Sequence, residues 1–204
     1  MLYYKQFYYE EYAKNNVYTN IAERYSLNAT ESRVLAYDVT ENLFNFFRSK
    51  ESLRYFTAEE QNHMYDVKSI FNTMKTIYYA SFIIFIACFG YLYYHYRNDR
   101  MHAIELLSNI LRYASITCLG FLAVLFVLSV FFFDATFAIM HLLLFPQGNF
   151  TFPETSLLIT LFPQQFFFDI ALRIFIYSAV QGIALLLAGI WLKKNMRLHR
   201  HMHY

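Results

Sequence analysis

The sequence predicts an all-α integral membrane protein, a helical transmembrane bundle with an extracytoplasmic helical cap. Three observations predict it. Hydrophobic residues make up 57% of the 204 positions and charged residues only 16%, whereas an ordinary soluble domain is about a quarter charged. The charges are also segregated: residues 1–69 hold 18 of the 32, and 76–96, 113–133 and 174–192 hold none. Each uncharged stretch is long enough to cross a bilayer core as a helix, which takes about 20 residues.

The first span runs from about Thr76 to Tyr96 around YYASFIIFIACFGYLYY, the second from about Tyr113 to Phe133, and the third over Ile174–Leu192. Direction follows from Lys and Arg in the flanks. Arg97, Arg100 and Arg112 lie between spans one and two, and Lys193, Lys194, Arg197 and Arg200 follow span three. The segment 134–173 carries only Arg173 against Asp134, Glu154 and Asp169. The first connection and the C-terminus are therefore expected in the cytoplasm, with residues 1–69 and 134–173 outside. Tyr78, Tyr79, Tyr93, Tyr94, Tyr96 and Trp191 fall near span ends, where amphipathic rings settle. A polar segment outside, with no apolar signal region in residues 1–16, implies a further N-terminal span in the full-length protein. That gives three spans here and four in all.

The expected order is a helical cap at 1–69, a transmembrane helix at 70–97 and a cytoplasmic amphipathic connection at 98–112. A transmembrane helix with an outer extension follows at 113–145, then an extracytoplasmic loop at 146–167, a transmembrane helix at 168–192 and a cytoplasmic tail at 193–204. Within the cap, Asn28 with Glu31 and Thr57 with Glu60 have the spacing of capping boxes. The first predicts a helix of about 20 residues, carrying Val34, Leu35, Leu43, Phe46 and Phe47 on its apolar face. The second predicts a helix entering span one unbroken. Met101–Tyr113 reads as a cytoplasmic surface helix, and the helix of span two is expected to reach about Phe145. All three prolines, Pro146, Pro153 and Pro163, then fall in the outer loop with Gly148 and Asn149, which predicts irregular backbone. Such backbone persists beside a membrane only when protein covers it or it lines a cavity. The loop therefore either lines a pocket for an amphiphile or packs against the cap.

Several classes drop out. The net charge is +2 and no basic cluster lies on a polar helix, so no nucleic-acid partner is expected. Cys88 and Cys118 sit inside apolar stretches and read as small buried residues. No clustered metal-ligand motif appears, so neither a metal nor another cofactor is expected.

The seven histidines sort by side. His95, His102, His199, His201 and His203 flank cytoplasmic ends. His63 and His141 stand apart: the first precedes span one by a few turns and the second follows span two by about two. At about 1.5 Å per residue both reach the same outer water–lipid boundary. Imidazole is the side chain that changes charge near neutral pH without a perturbed pKa, so the pair are the candidate acid–base groups. Asp66, three residues after His63, and Asp134, seven before His141, are the carboxylates placed to orient them. Asp66 has Lys68 as an alternative partner. Substrate-binding candidates are Tyr65, Lys68, Asn149, Phe150, Phe152 and Phe162.

The run Phe56–Lys68 (FTAEEQNHMYDVK) resembles the HMxDVK signature of bacterial lipoprotein intramolecular transacylases (Lit). Phe133–Phe145, Asn149–Phe152 and Leu158–Phe167 resemble that family too, so the likeness covers about residues 40–175. It implies a four-span enzyme of the bacterial cytoplasmic membrane with its site facing outside. Such an enzyme moves the sn-2 acyl chain of a diacylglyceryl-modified lipoprotein to the α-amino group of its N-terminal cysteine, leaving a lyso-form lipoprotein. His63 and His141 match the family's catalytic histidines. Phe150 and Gln164 depart from it, standing where a Trp and an acid are usual. Two other readings stay open: an accessory membrane protein whose cap binds a partner, and an acyl hydrolase using the same pocket.

Overall fold

Eight helices account for most of the described residues, and asparagines and serines set the breaks among the early ones. The computed structural model describes residues 5–202, with side chains through Met196. The chain divides into two units, one of Met1–Asn72 with Phe137–Ile170 and one of Thr73–Thr136 with Ala171–Tyr204.

In the first unit α1 (Lys5–Lys14) and α2 (Val17–Tyr25) are separated by Asn16 at φ 55°, and Ser26 at φ 53° ends α2. Asn enters this left-handed region more readily than most residues because its short side chain can bond locally. Helix α3 (Ala29–Phe47) begins at the expected capping box: Asn28 Oδ1 accepts from the amides of Thr30 and Glu31, both at 2.9 Å. Its buried face includes Ala36, Val39, Leu43, Phe44 and Phe46, while Val34 points outward.

An aromatic core closes this unit. Tyr12 is fully buried with its hydroxyl 3.0 Å from Thr40 Oγ1, and Tyr8 packs edge-on against Phe44 at 4.9 Å. Leu157, Leu158 and Leu161 of the short helix α7 (Leu157–Leu161) and Phe166 enter the same core. Full burial of a side chain such as Leu161 stabilises by about 1.5–3 kcal/mol. The later part of the proline-containing loop is thus covered by protein at Ser156, Leu157, Leu158, Thr160 and Leu161, whereas 146–148 and 153–155 stay exposed.

Helix α4 (Ala58–Tyr96) is the unbroken helix expected from the Thr57 cap. In the second unit, α5 (Arg100–Phe131) takes in the stretch read as a separate surface helix. The reason lies at Ser108, which is buried and donates to the Gly189 carbonyl at 2.9 Å. The face of 101–113 is therefore a packing face. Helix α6 (Phe133–Leu144) starts after a break at Phe132, where one continuous helix was expected, and the Thr136 hydroxyl reaches back to the Leu128 carbonyl at 3.3 Å.

The last helix, α8 (Gln164–Met202), packs on α5 through small residues. A Cβ on Gly189 would lie 2.8 Å from Arg112 Cγ, and one on Gly182 would lie 2.9 Å from Leu119 Cδ2. Close backbone approach at small residues is how helices associate in lipid. Helices α4, α5 and α8 are each long and apolar enough to span a membrane, and at most 6% of each apolar window is buried in the chain. Cys88 and Cys118 are exposed on these spans rather than buried, because their helix faces meet no protein. The side chains of Arg197, His199, Arg200, His201 and His203, read above as part of the cytoplasmic flank, lie outside the described residues.

Candidate active site

His63, His141 and the side chains described around them belong to the first unit. His63 sits in the polar N-terminal part of α4, thirteen residues before Thr76. The helix is started there by a capping box in which Glu60 Oε2 accepts from the Thr57 amide at 2.7 Å. The other oxygen of Glu60 accepts from the Leu158 amide at 3.1 Å and from the Ser156 hydroxyl. One buried carboxylate therefore starts α4 and fixes the start of α7. Burial alone would raise its pKa, but the hydrogen bonds from Ser156, Thr57 and Leu158 outweigh that and hold it below the usual glutamate range.

His141 lies on α6, and its Nδ1 is 2.8 Å from the Phe137 carbonyl. A carbonyl only accepts, so Nδ1 carries a proton, and in the neutral ring Nε2 is the nitrogen with the lone pair. The main chain sets this tautomer, where Asp134 had been expected to do so; Asp134 stands in the first turn of α6, a favourable place for a negative charge.

The two imidazoles stack with centroids 6.5 Å apart and planes 17° from parallel. Phe145 touches both, at 4.5 Å from His63 and 5.7 Å from His141. Phe152 lies 5.4 Å from His63, Phe150 5.4 Å from His141, and Phe137 4.2 Å from His141. His63 is only 7% exposed. Its pKa is lowered from the usual value by burial and by the neighbouring His141, against the opposing pull of Asp66 and Asn149.

Asp66 takes neither partner expected for it. Its Oδ2 accepts from Gln147 Nε2 at 2.8 Å and from Asn149 Nδ2 at 2.5 Å. The turn that makes this possible places Gly148 at φ 79°, with its amide bonded to the Phe145 carbonyl at 2.9 Å. A side chain is strained at that φ, so the turn needs a glycine. Asp66 is thereby an anchor for the loop that carries Phe150 and Phe152.

Of the other candidates, Lys68 donates to the Phe46 carbonyl at 2.6 Å and lies over the Phe46 ring, so it caps the C-terminal end of α3. Tyr65 packs on Phe46 at 5.0 Å, and Phe162 packs with Tyr8, Tyr12 and Phe166 in the core. All three pack on the cap, although Tyr65 keeps half of its surface exposed. Gln147 was not singled out from the sequence, and Phe137 and Phe145 entered only through the family resemblance, with no role given to them. The spacing Phe137, His141, Phe145 is itself a signal, since residues four apart share a helix face.

The family model of the lipoprotein intramolecular transacylase Lit matches residues 1–167. The chain belongs to that family. A solved in meso structure of the membrane integral lipoprotein intramolecular transacylase Lit from Bacillus cereus is 21% identical. It matches over 97% of this chain and 86% of that chain, with a TM-score of 0.74. That likeness shows that this Lit-family chain shares an integral-membrane, all-helical fold. No curated protein sequence matches it.

Proposed function

We propose that this Lit-family transacylase moves the sn-2 acyl chain of a diacylglyceryl lipoprotein to the α-amino group of its N-terminal cysteine, with His63 and His141 exchanging the protons. The observation that carries the reading is the pair of near-parallel imidazoles, one with its Nδ1–H already committed to the Phe137 carbonyl. An α-amino group has a pKa near 8, so at neutral pH only about a tenth of it is unprotonated. His63 Nε2 takes the first proton from the ammonium. The freed amine attacks the ester carbonyl carbon, and His141 Nε2 takes the second proton from the adduct. The bond from that carbon to the glyceryl sn-2 oxygen breaks, and protonated His63 returns its proton to the leaving oxygen. One proton remains on His141 and passes to water, so the steps balance.

Burial and the neighbouring imidazole lower the His63 pKa, which makes its protonated form the stronger acid and suits it to the leaving-group step. Amine and ester belong to one molecule, so holding the flexible linkage in a reactive geometry lowers the barrier further, by up to about 7–11 kcal/mol. Phe145, Phe150 and Phe152 are walls for that purpose. In this reading the site faces the outside of the bacterial cytoplasmic membrane, which the flanking charges support: Arg97 and Arg100 fall between spans one and two, and Lys193 and Lys194 follow span three.

The test is mass spectrometry of a lipoprotein's N-terminal peptide after incubation with purified protein. Acyl migration keeps the total mass and moves one chain to nitrogen, whereas hydrolysis removes a chain. His63→Ala and His141→Ala are each expected to cut product formation by about 10²–10⁴-fold. Unchanged turnover in either variant removes that residue from the mechanism.

A further inference from the structure

The Asp66 anchor has a second end. An asparagine amide presents a donor on one side and an acceptor on the other. Because Asp66 Oδ2 is a carboxylate oxygen 2.5 Å from Asn149 Nδ2, the donor side of Asn149 is fixed on Asp66 and its Oδ1 is turned the other way. That Oδ1 is buried and has no hydrogen-bond partner, and the same is true of His63 Nδ1. The two are complementary: one ring nitrogen in need of an acceptor, one amide oxygen in need of a donor. Nδ1 lies outside strict hydrogen-bond geometry, yet the side chain and main chain of Asn149 are both near enough to favour the charged imidazole. A rotation of the ring that brings Nδ1 to this oxygen satisfies both atoms.

We propose that Asn149 is the positioning residue for His63, its amide nitrogen held by Asp66 and its oxygen holding the imidazole Nδ1–H, so that Nε2 is the atom that carries the proton. The proposal deepens the acid–base reading above and rests on it. Asn149 thereby leaves the group of substrate contacts. Asp66 acts on the ring one residue removed, and Gly148 at φ 79° lets the side chains of Gln147 and Asn149 converge on one carboxylate. The titratable groups acting on His63 are His141 from α6 and Asp66 from its own helix. Glu60, one turn earlier on α4, is occupied by Thr57, Ser156 and Leu158. Phe145 and Phe152, which pack on the ring, are neutral.

The first measurement needs no variant. Nitrogen-15 NMR of the full chain in lipid nanodiscs, with labelled histidine, is expected to show neutral His63 protonated at Nδ1; protonation at Nε2 overturns the proposal. The second uses a synthetic diacylglyceryl lipopeptide and follows kcat/KM against pH. Asn149→Leu is expected to lower the rate about 10- to 100-fold, the range known for metal-ligating histidines that lose their outer partner, and to give mixed tautomers. The exchanged pair, Asp66→Asn with Asn149→Asp, restores the donor on the helix and an acceptor against the ring. It is expected to recover at least 10-fold over Asp66→Asn alone and to move the acidic limb to higher pH, since a carboxylate now touches His63. An exchanged pair no better than either single variant overturns the proposal. If His63→Ala keeps its turnover, the acid–base reading itself fails, whatever Asn149 does.

Discussion

The two units of the chain are built on opposite economies of burial. In the first, side chains meet one another: Tyr12, Val17, Ile21, Ala36, Val39 and Leu161 are wholly removed from solvent, and buried Glu60 has its hydrogen bonds filled from three directions. In the second, large apolar residues such as Ile83, Phe85 and Phe121 face outward, and α5 and α8 touch where Ser108, Gly182 and Gly189 let them. The contrast follows from solvent. In water, burial of apolar surface drives association, whereas among lipid tails it does not, and close packing and small residues decide. The candidate site sits in the unit that can hold polar groups in fixed positions.

The sharpest way to break this contrast is at Glu60. Glu60→Ala removes the acceptor of Thr57, Ser156 and Leu158, and a hydrogen bond to a charged group is worth about 1.5–3 kcal/mol. A loss of about 3 kcal/mol or more from the first unit is expected, seen as earlier proteolysis of residues 5–69 while α5 and α8 stay paired. Because the folded carboxyl lies below its ordinary value, its contribution is complete above about pH 4.3 and is lost as the pH falls through the lowered value. Glu60→Gln should flatten that acid dependence, measured by melting against pH.

The mirror-image experiment is Gly189→Leu. A Cβ there meets Arg112 Cγ at 2.8 Å and the Ser108 carbonyl at 3.1 Å, and overpacking costs about 1–3 kcal/mol. The second unit should loosen in a detergent melt while the His63 and His141 ring signals stay in place. A variant that disturbs both equally would erase the distinction between the units.

A subtler effect is the pH profile. His63 must be neutral to accept the first proton, and its pKa is lowered by burial and by His141. The acidic limb of kcat/KM is therefore expected below about pH 6.5, falling roughly tenfold per unit. A limb above that value would mean that the ring is not desolvated during turnover. The smallest change is expected from Lys68→Met. It forfeits the Phe46 carbonyl and ring contacts, worth about 1 kcal/mol, with turnover nearly unchanged; a large loss of turnover would return Lys68 to the substrate contacts.

Much of this was legible in the residues themselves. Asn28 with Glu31 and Thr57 with Glu60 announced two helix starts because a capping box is a local interaction with a local spacing. The absence of charge announced the spans, and a shared height above the membrane selected His63 and His141. What the residues hid was long-range. Nothing near Ser108 in the chain says that Gly189 will lie against it, so 101–113 read as a surface helix. Nothing near Asp66 says that a glycine turn 80 residues on will bring two amides to it, so a histidine or a lysine looked the better partner. Phe162 looked like a pocket wall because its loop is apolar, but apolar residues beside an aromatic cap are as readily drawn into its core.

The guanidinium of Arg24 reaches the carbonyls of Glu154 at 2.6 Å and Ser156 at 3.0 Å, and the Thr160 hydroxyl as well. It binds an early part of the chain to a segment that leaves the ribosome some 130 residues later. Helices α1 to α3 therefore wait with an incomplete interior until Leu157, Leu161 and Phe166 have been made and carried past two spans. A chain that stops short of α7 therefore lacks the side chains that complete the core of the first unit, the unit to which His63 and His141 belong.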